Sequence, residues 1–366
     1  MLLEHLTLAD VRNYATLEFA PAPGLNLLVG SNAQGKSNLL EAIAMLGTGK
    51  SFRTSREGEV IRFGLPLGSV SGSARVGAGK IRLACTIART PGGTRKHYTL
   101  NGETVRYGTF LGSVKVVTFV PADLALITGP PALRRSFLNE ALSLAEPRYY
   151  RQLARYRKTL GEKNALLRGA VAFDPDLLAT YESALVESGT ALMIARRHYL
   201  AGLGELAGGI AAGWVRGERL EVRYLPNVPI EVPTEDAIAA AFRTRLAEQR
   251  GNEAARKTSL VGPHRDDIGF SADAQALAAY GSQGQNRTAV LALKVAEYTI
   301  LRQRTAEAPL LLLDDVLSEL DPLRAQRFVE ALGGVEQAFV TATQRPPVLG
   351  DGPTVWEIAA ATVRAC

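Results

Sequence analysis

The 366-residue chain predicts an α/β domain split by a mainly helical insertion. Three observations predict it. First, a strand, a glycine loop and an apolar helix follow one another in LNLLVGSNAQGKSNLLEAIAML, Leu25–Leu46. Second, strand–helix alternation returns after about Leu260, with the apolar run Leu310–Leu313 ending in Asp314 and Asp315. Third, helical periodicity dominates between them, from Ala132 to about Ile210.

Each element has a local cause. HLTLADV and ATLEFAP read as short strands, and LNLLVG as a buried one. GSVSGSARV, KIRLACTIART and KHYTLNGETV alternate, with PGGT as one turn and Asn101-Gly102 as a hairpin turn. KVVTFVP is another buried strand. After Pro130-Pro131, Tyr149, Leu153, Tyr156 and Leu160 fall at i, i+4, i+7 and i+11, one apolar stripe of a helix that Pro147 can start. FDPD, Phe173–Asp176, breaks it, and Leu177–Leu200 reads as a second long helix. VRYLPNVPIEVP is extended, and Thr234 caps the helix TEDAIAAAFRTRLAEQR. The closing third reads DDIGF (strand), TAVLALKVAEYTILRQR (helix), PLLLLDD (strand), DPLRAQRFVEAL (helix) and QAFVTAT (strand). The predicted division is 1–125 with 256–366 as the α/β domain, and 126–255 as a helical arm.

Composition narrows the function class. The net charge of +6 points to an anionic partner such as nucleic acid. Two cysteines, Cys85 and Cys366, cannot build a disulfide framework, so a reduced, cytoplasmic protein is expected. The opening MLLEHLTLADVRNY lacks a signal-peptide pattern, and no apolar run reaches the ~20 residues that span a bilayer, so no membrane is expected.

The chemistry lies in the loops. Gly30-Ser31-Asn32-Ala33-Gln34-Gly35-Lys36-Ser37 is an unbroken G-x-x-x-x-G-K-S pattern between strand and helix, followed by Asn38. Its glycines let backbone N–H groups wrap phosphates, and the helix dipole adds to this. Lys36 is expected on the β/γ-phosphates and Ser37 on Mg²⁺. Asp314 is expected to hold the same ion, because Mg²⁺ takes oxygen ligands. Asp315 either positions the attacking water or caps the next element. Upstream of this acidic strand by one helix length, GSQGQNRT (Gly281–Thr288) has the form of a second phosphate-contacting loop, through Ser282, Gly284 and Gln285.

Charge is concentrated in the arm. Between Ala132 and Arg168 nine basic residues stand against three acidic ones, an excess of six. Arg148, Arg151, Arg155 and Lys158 form a stripe on one helix, roughly 15–20 Å long, which either tracks DNA phosphates or is an ordinary solvated face. Tyr149 and Tyr156 fall on the apolar stripe, leaving Tyr150 as the stacking candidate.

The order of phosphate loop, S-x-G-Q with helix, apolar strand with Asp314–Asp315, then Ser318-Glu319-Leu320-Asp321, resembles that of ATP-binding-cassette ATPases. With GKSFRT, PPALRRSFLNEAL, YRKTLGEKNALLR, GPHRDD and SQGQNRTAVLALKVAE, the chain is similar nearly end to end to the RecF family, recombination-repair ATPases related to SMC heads. The resemblance implies an ATP-binding-cassette (SMC-head-like) fold with ATP and Mg²⁺ as cofactors. It implies a head-to-tail homodimer in which Ser282 and Gly284 complete the partner's pocket. It implies a weak, DNA-stimulated ATPase that binds double-stranded DNA and double-strand/single-strand junctions. RecR, RecO and RecA are the implied partners in recombinase loading. The sequence departs from the cassette pattern in three places. Asp315 stands where glutamate is usual, which predicts slow turnover. The switch histidine is absent, with Thr343 near its place. Val120–Asp123, the nearest counterpart of the Q-loop, holds no glutamine. Arg53 reaches either phosphate or the dimer partner, or is a plain surface arginine. His264 and Arg265 either sense nucleotide or hold a structural turn, with Arg265 pairing Asp266 or Asp267. The competing readings are a membrane-transporter ATPase subunit and a DNA scaffold that binds ATP without hydrolysing it.

Overall fold

The computed structural model describes residues 1–169, 174–214 and 219–366; Phe173, in the FDPD break, lies outside the described residues. In chain order the N-terminal elements are β1 (Leu2–Val11), β2 (Tyr14–Phe19), β3 (Gly24–Val29), α1 (Lys36–Thr48), β4 (Leu67–Val76), β5 (Gly79–Thr90), β6 (Gly93–Leu100), β7 (Glu103–Val105), α2 (Tyr107–Phe110) and β8 (Val116–Phe119). The middle comprises α3 (Ala125–Thr128), α4 (Pro131–Ala145), α5 (Pro147–Gly169), α6 (Pro175–Trp214), β9 (Leu220–Leu225), α7 (Glu235–Arg256), β10 (Asp267–Ala272), β11 (Gln275–Ala276), α8 (Leu277–Tyr280) and α9 (Gln283–Thr305). The chain closes with β12 (Leu310–Asp314), α10 (Pro322–Ala331), β13 (Gln337–Ala342), β14 (Thr354–Ala359) and β15 (Thr362–Ala365). Among the described residues no helix is long and apolar enough to cross a membrane.

The chain forms two compact units, Met1–Asp123 with Lys294–Cys366, and Leu124–Leu293. The first holds two six-stranded sheets. One is antiparallel, ordered β2-β1-β4-β5-β6-β7; the other is mostly parallel, ordered β15-β14-β3-β13-β12-β8. Helix α1 is apolar almost all round and is buried accordingly, with Leu39, Leu40, Ile43, Met45 and Leu46 in the same core as Leu3, Val70, Leu83, Leu312 and Phe339. Every residue of β12 is buried, as expected of a continuous apolar strand in a parallel sheet. The anticipated hairpin joins β6 to β7: Asn101 and Gly102 take φ 51° and 89°, which a type I′ turn requires.

The second unit is built on α5, α6 and α7. Tyr149, Leu153 and Tyr156 are buried as their spacing predicts, while Leu160 is half-buried. Thr234 caps α7, its Oγ1 accepting from Ala237 N at 3.4 Å. Helix α6 runs well past the expected Leu200, to Trp214. Of the expected extended stretch, Val222–Pro233, only residues 222–225 are strand, within β9, which pairs with β10; β10 also pairs with β11. That pairing ties residues after 256 into this unit, so the division expected at 256 falls inside it; the second change of unit, at 293/294, falls within α9.

Candidate functional site

In the first unit the glycine loop lies at the carboxyl end of β3. Gly35 takes φ 120°, and a Cβ there would stand 2.8 Å from the Tyr14 hydroxyl. A Cβ on Gly30 would meet Ile358 O at 2.2 Å. Both positions therefore admit only glycine, and the loop backbone packs directly on its supports. Ser31, Asn32 and Ala33 are exposed at its crest. Helix α1 begins at Gly35 without a side-chain cap, so its first N–H groups have no side-chain acceptor, the arrangement that suits an anion. Lys36 is buried and folds back over the loop, donating to Gly30 O at 2.5 Å and Ser31 O at 2.9 Å. Burial lowers its pKa, opposed by the carboxylates of Asp315 and Asp314.

The acidic strand meets this loop directly. Ser37 Oγ donates to Asp314 Oδ1 at 2.7 Å, and Thr341 Oγ1 donates to the same oxygen at 2.9 Å. Thr341 belongs to β13, the strand between β3 and β12. A serine hydroxyl and a buried carboxylate this close are hard oxygen donors, so the set fits Mg²⁺, and the uncapped loop beside it fits a nucleotide polyphosphate. Asp315 adopts φ 53°, its N–H donates to Thr341 Oγ1 at 2.9 Å, and its Oδ1 accepts from Ser318 Oγ at 2.7 Å. The sequence places Thr343 near the switch position, with no stand-in for the histidine assigned. Thr343 is exposed beyond the end of β13, and the threonine in contact with both aspartates is Thr341.

A second group lies at the loop; its Gln34, Asn38 and Arg53 are singled out in the sequence, and its Arg12, Asn13 and Glu41 are not. Asn13 Nδ2 donates to Gln34 O at 3.1 Å, Asn38 Nδ2 to Asn13 Oδ1 at 2.7 Å, and Arg53 Nη1 to Asn38 Oδ1 at 2.5 Å. Arg12 forks onto Glu41 at 2.8 and 2.7 Å. Gln34 is fixed from the other side, its Oε1 accepting from Ala360 N at 2.7 Å. Arg53 is thus held beside the phosphate loop by a neutral amide, whereas Arg12 is neutralised by a carboxylate. The one signal for Arg12 and Asn13 is their place with Tyr14 in a tight turn between two strands.

The second unit carries the S-x-G-Q loop. Ser282 N donates to Gln285 Oε1 at 2.9 Å, and Gln285 N to Ser282 Oγ at 3.1 Å. This is a capping box at the start of α9. Ser282 is exposed, and Gly284 lies in the first turn.

GPHRDD is a polar knot around the buried Asp266, and one of the two readings open for it, Arg265 pairing Asp266 or Asp267, is corrected. Arg265 does not pair with its neighbours: Asp266 accepts from Arg196 Nη1 at 2.7 Å and from the Tyr224 hydroxyl, while Asp267 takes a fork from Arg134 at 2.6 and 2.9 Å. Arg265 instead donates to Ser259 O at 3.0 Å. Gly262 takes φ 126°, and a Cβ there would stand 2.4 Å from the Tyr156 hydroxyl.

The basic excess of the arm is smaller on the surface than in the sequence. Arg134 is spent on Asp267, and Lys163 is fully buried between Glu182 at 3.3 Å and Glu253 at 2.6 Å. Arg135 donates to Asp266 O at 2.8 Å. Arg148, Arg151, Arg155 and Lys158 are all exposed on α5, as their spacing predicts. Arg155 forks onto Glu187, and Lys158 stands 3.8 Å from Glu162. Tyr150 is half-buried.

Comparison with known proteins follows this geometry. Residues 2–351 match the family described as RecF/RecN/SMC N terminal domain. The chain is 39% identical over 355 residues to the DNA replication and repair protein RecF of Thermosynechococcus vestitus, covering 95% of this chain and 92% of that one. It is 36% identical over 371 residues to RecF of Limosilactobacillus fermentum, covering 99% of both chains. Among solved structures it is similar to the recombination mediator protein RecF-ATP of the RecFOR pathway, with TM-score 0.93, 33% identity and coverage of 100% and 97%. An Smc head bound to the C-terminal winged-helix domain of ScpA matches at TM-score 0.57 and 15% identity, over 100% of this chain and 98% of that one, a likeness of fold alone.

Proposed function

Because the chain belongs to the RecF family, within the RecF/RecN/SMC N-terminal domain proteins, we propose that it is an ATP-dependent DNA-binding protein of recombination and repair. The observation that carries this reading is the run Ser37–Asp314–Thr341, which joins the uncapped start of α1 to the ends of the neighbouring strands β12 and β13.

In this reading Lys36 sets its charge against the β/γ-phosphates, with Arg53 as a second cation nearby. Ser37 and Asp314 hold Mg²⁺, which when bound neutralises phosphate charge. Asp315 positions and polarises the attacking water, and phosphoryl transfer asks little more of the protein than such positioning. The ATPase half is 1–125 with 256–366, and 126–255 is the arm. Residues 256–293 pack with the arm yet carry the S-x-G-Q loop, so packing unit and chemical assignment differ there.

Two copies close head to tail, each offering Ser282 and the Gly284 N–H to the γ-phosphate of the other. ATP drives closure only through contacts present in the closed state, and these supply them. The closed pair clamps duplex DNA at gaps or junctions, with the α5 stripe on phosphates. It supports RecA loading with RecO and RecR, and slow hydrolysis releases it.

Light scattering tests the central step. ATP with Mg²⁺ is expected to double the solution mass of the wild-type chain. Ser282→Arg is expected to bind ATP and stay monomeric, with Lys36→Ala as the control that binds no ATP. A variant that dimerises like wild type overturns the trans role of the loop.

A further inference from the structure

We propose that the turn bearing Phe63 is a wedge that meets the exposed face of a terminal base in DNA, so that the protein distinguishes interrupted from continuous duplex. This rests on the DNA-binding reading above.

Phe63 is 99% exposed, in a chain that buries most of its large apolar side chains. Its neighbours behave differently: Ile61 is buried, and Leu65 packs against the main core. The short segment therefore turns two apolar side chains inward and holds the aromatic one out.

The turn that displays it is fixed. Leu65 N donates to Arg62 O at 3.1 Å and Gly64 takes φ 81°, a type II turn with Phe63 at its first corner. Arg62 N donates to Asp10 O at 2.8 Å, and Ile61 bridges to Val11. On the other flank Arg89 N donates to Pro66 O at 2.8 Å, and the Arg89 guanidinium donates to Leu65 O at 3.2 Å and Gly58 O at 2.6 Å. Both stems of the turn are thus bonded to strands of the antiparallel sheet.

Its surroundings carry both signs of charge, in long, exposed pairs that hold an arginine only weakly. Arg62 stands 3.8 Å from Asp10, and Arg56, 86% exposed at its side chain, stands 3.8 Å from Glu59. Arg89 is bonded only to carbonyl oxygens in the contacts above, so its charge is not neutralised by them. Leu67, at the start of β4, is 48% exposed. An apolar tip beside Arg62 and Arg89 has the chemistry of a nucleic-acid wedge, with cations on phosphates and the ring on a base. Continuous duplex offers no bare base face and must be unstacked to accept a ring, whereas a gap or a double-strand/single-strand junction presents one already.

The test is competition binding, in ATP and Mg²⁺, between a gapped duplex and a covalently closed circular duplex. Wild type is expected to prefer the gapped DNA. Phe63→Ala is expected to cut that preference roughly five- to tenfold, with closed-circle affinity and ATP-dependent mass unchanged. Phe63→Trp is expected to restore it, and the introduced indole to be quenched by gapped but not by closed DNA. The inference falls if Phe63→Ala keeps the full preference. It falls equally if Phe63→Ala loses ATP-dependent mass, which would make the tip a contact between copies, or if the indole responds only to added protein partners. If wild type binds neither DNA, the DNA-binding reading fails as well.

Discussion

Asp315 holds a left-handed backbone, a bond from its N–H to Thr341 and a bond from Ser318 to its carboxylate. Asparagine tolerates that backbone region, so Asp315→Asn removes charge and keeps the turn. Turnover is expected to fall roughly a hundredfold or more, while ATP-dependent mass persists; a phosphate-release assay beside light scattering checks both. Normal turnover would remove Asp315 from the water-positioning role. His264 makes a different point about single residues. Its Nε2 faces Ser259 O at 3.2 Å and its Nδ1 the Tyr156 hydroxyl at 2.6 Å. A carbonyl only accepts, so the proton sits on Nε2, and Nδ1 accepts from Tyr156. Burial chiefly, with Arg265, Arg135 and Lys163 adding repulsion, pushes the imidazole pKa down to about 4, against the Ser259 bond. The folded value lies below the unfolded one, so this stability is complete above about pH 6.5 and is lost as pH falls toward 4. The loss reaches about 3 kcal/mol. Denaturant melts from pH 7 to pH 4 should show a steeper decline for wild type than for His264→Gln; parallel declines would refute it.

At the scale of elements, α5 shows which charges a sequence reveals. The spacing of Arg148, Arg151, Arg155 and Lys158 sufficed to place them on one exposed face, because helical neighbours are local. It could not show that Lys163 and Arg134 turn inward, because their acidic partners lie up to 90 and 133 residues away. The free stripe is therefore narrower than the count of cations. Arg148→Glu with Arg151→Glu is expected to weaken duplex binding and to reduce the log–log salt slope by roughly two. A salt titration by fluorescence anisotropy measures this, and an unchanged slope would leave α5 a solvated face. The α9 capping box is the converse case: Ser282 and Gln285 are three residues apart, and the serine–glutamine spacing alone is enough to specify their reciprocal bonds.

Across the whole molecule, the phosphate loop and acidic strand were legible because each is a contiguous motif between recognisable elements. Thr341, Asn13 and the Arg12–Glu41 fork were not. Each acts through a partner brought near by sheet order or a strand turn, and a one-dimensional pattern carries no trace of it. The packing division at 293/294 was hidden for the same reason, since it depends on β10 finding β9. The central sheet has one further consequence. Both neighbours of β3, the strand that carries the phosphate loop, are β13 and β14, from the last thirty residues or so of the chain. A growing polypeptide on the ribosome therefore holds this loop without flanking strands until residues 337–359 have been made. Products cut short before β13 lack Thr341 and both strands that flank β3.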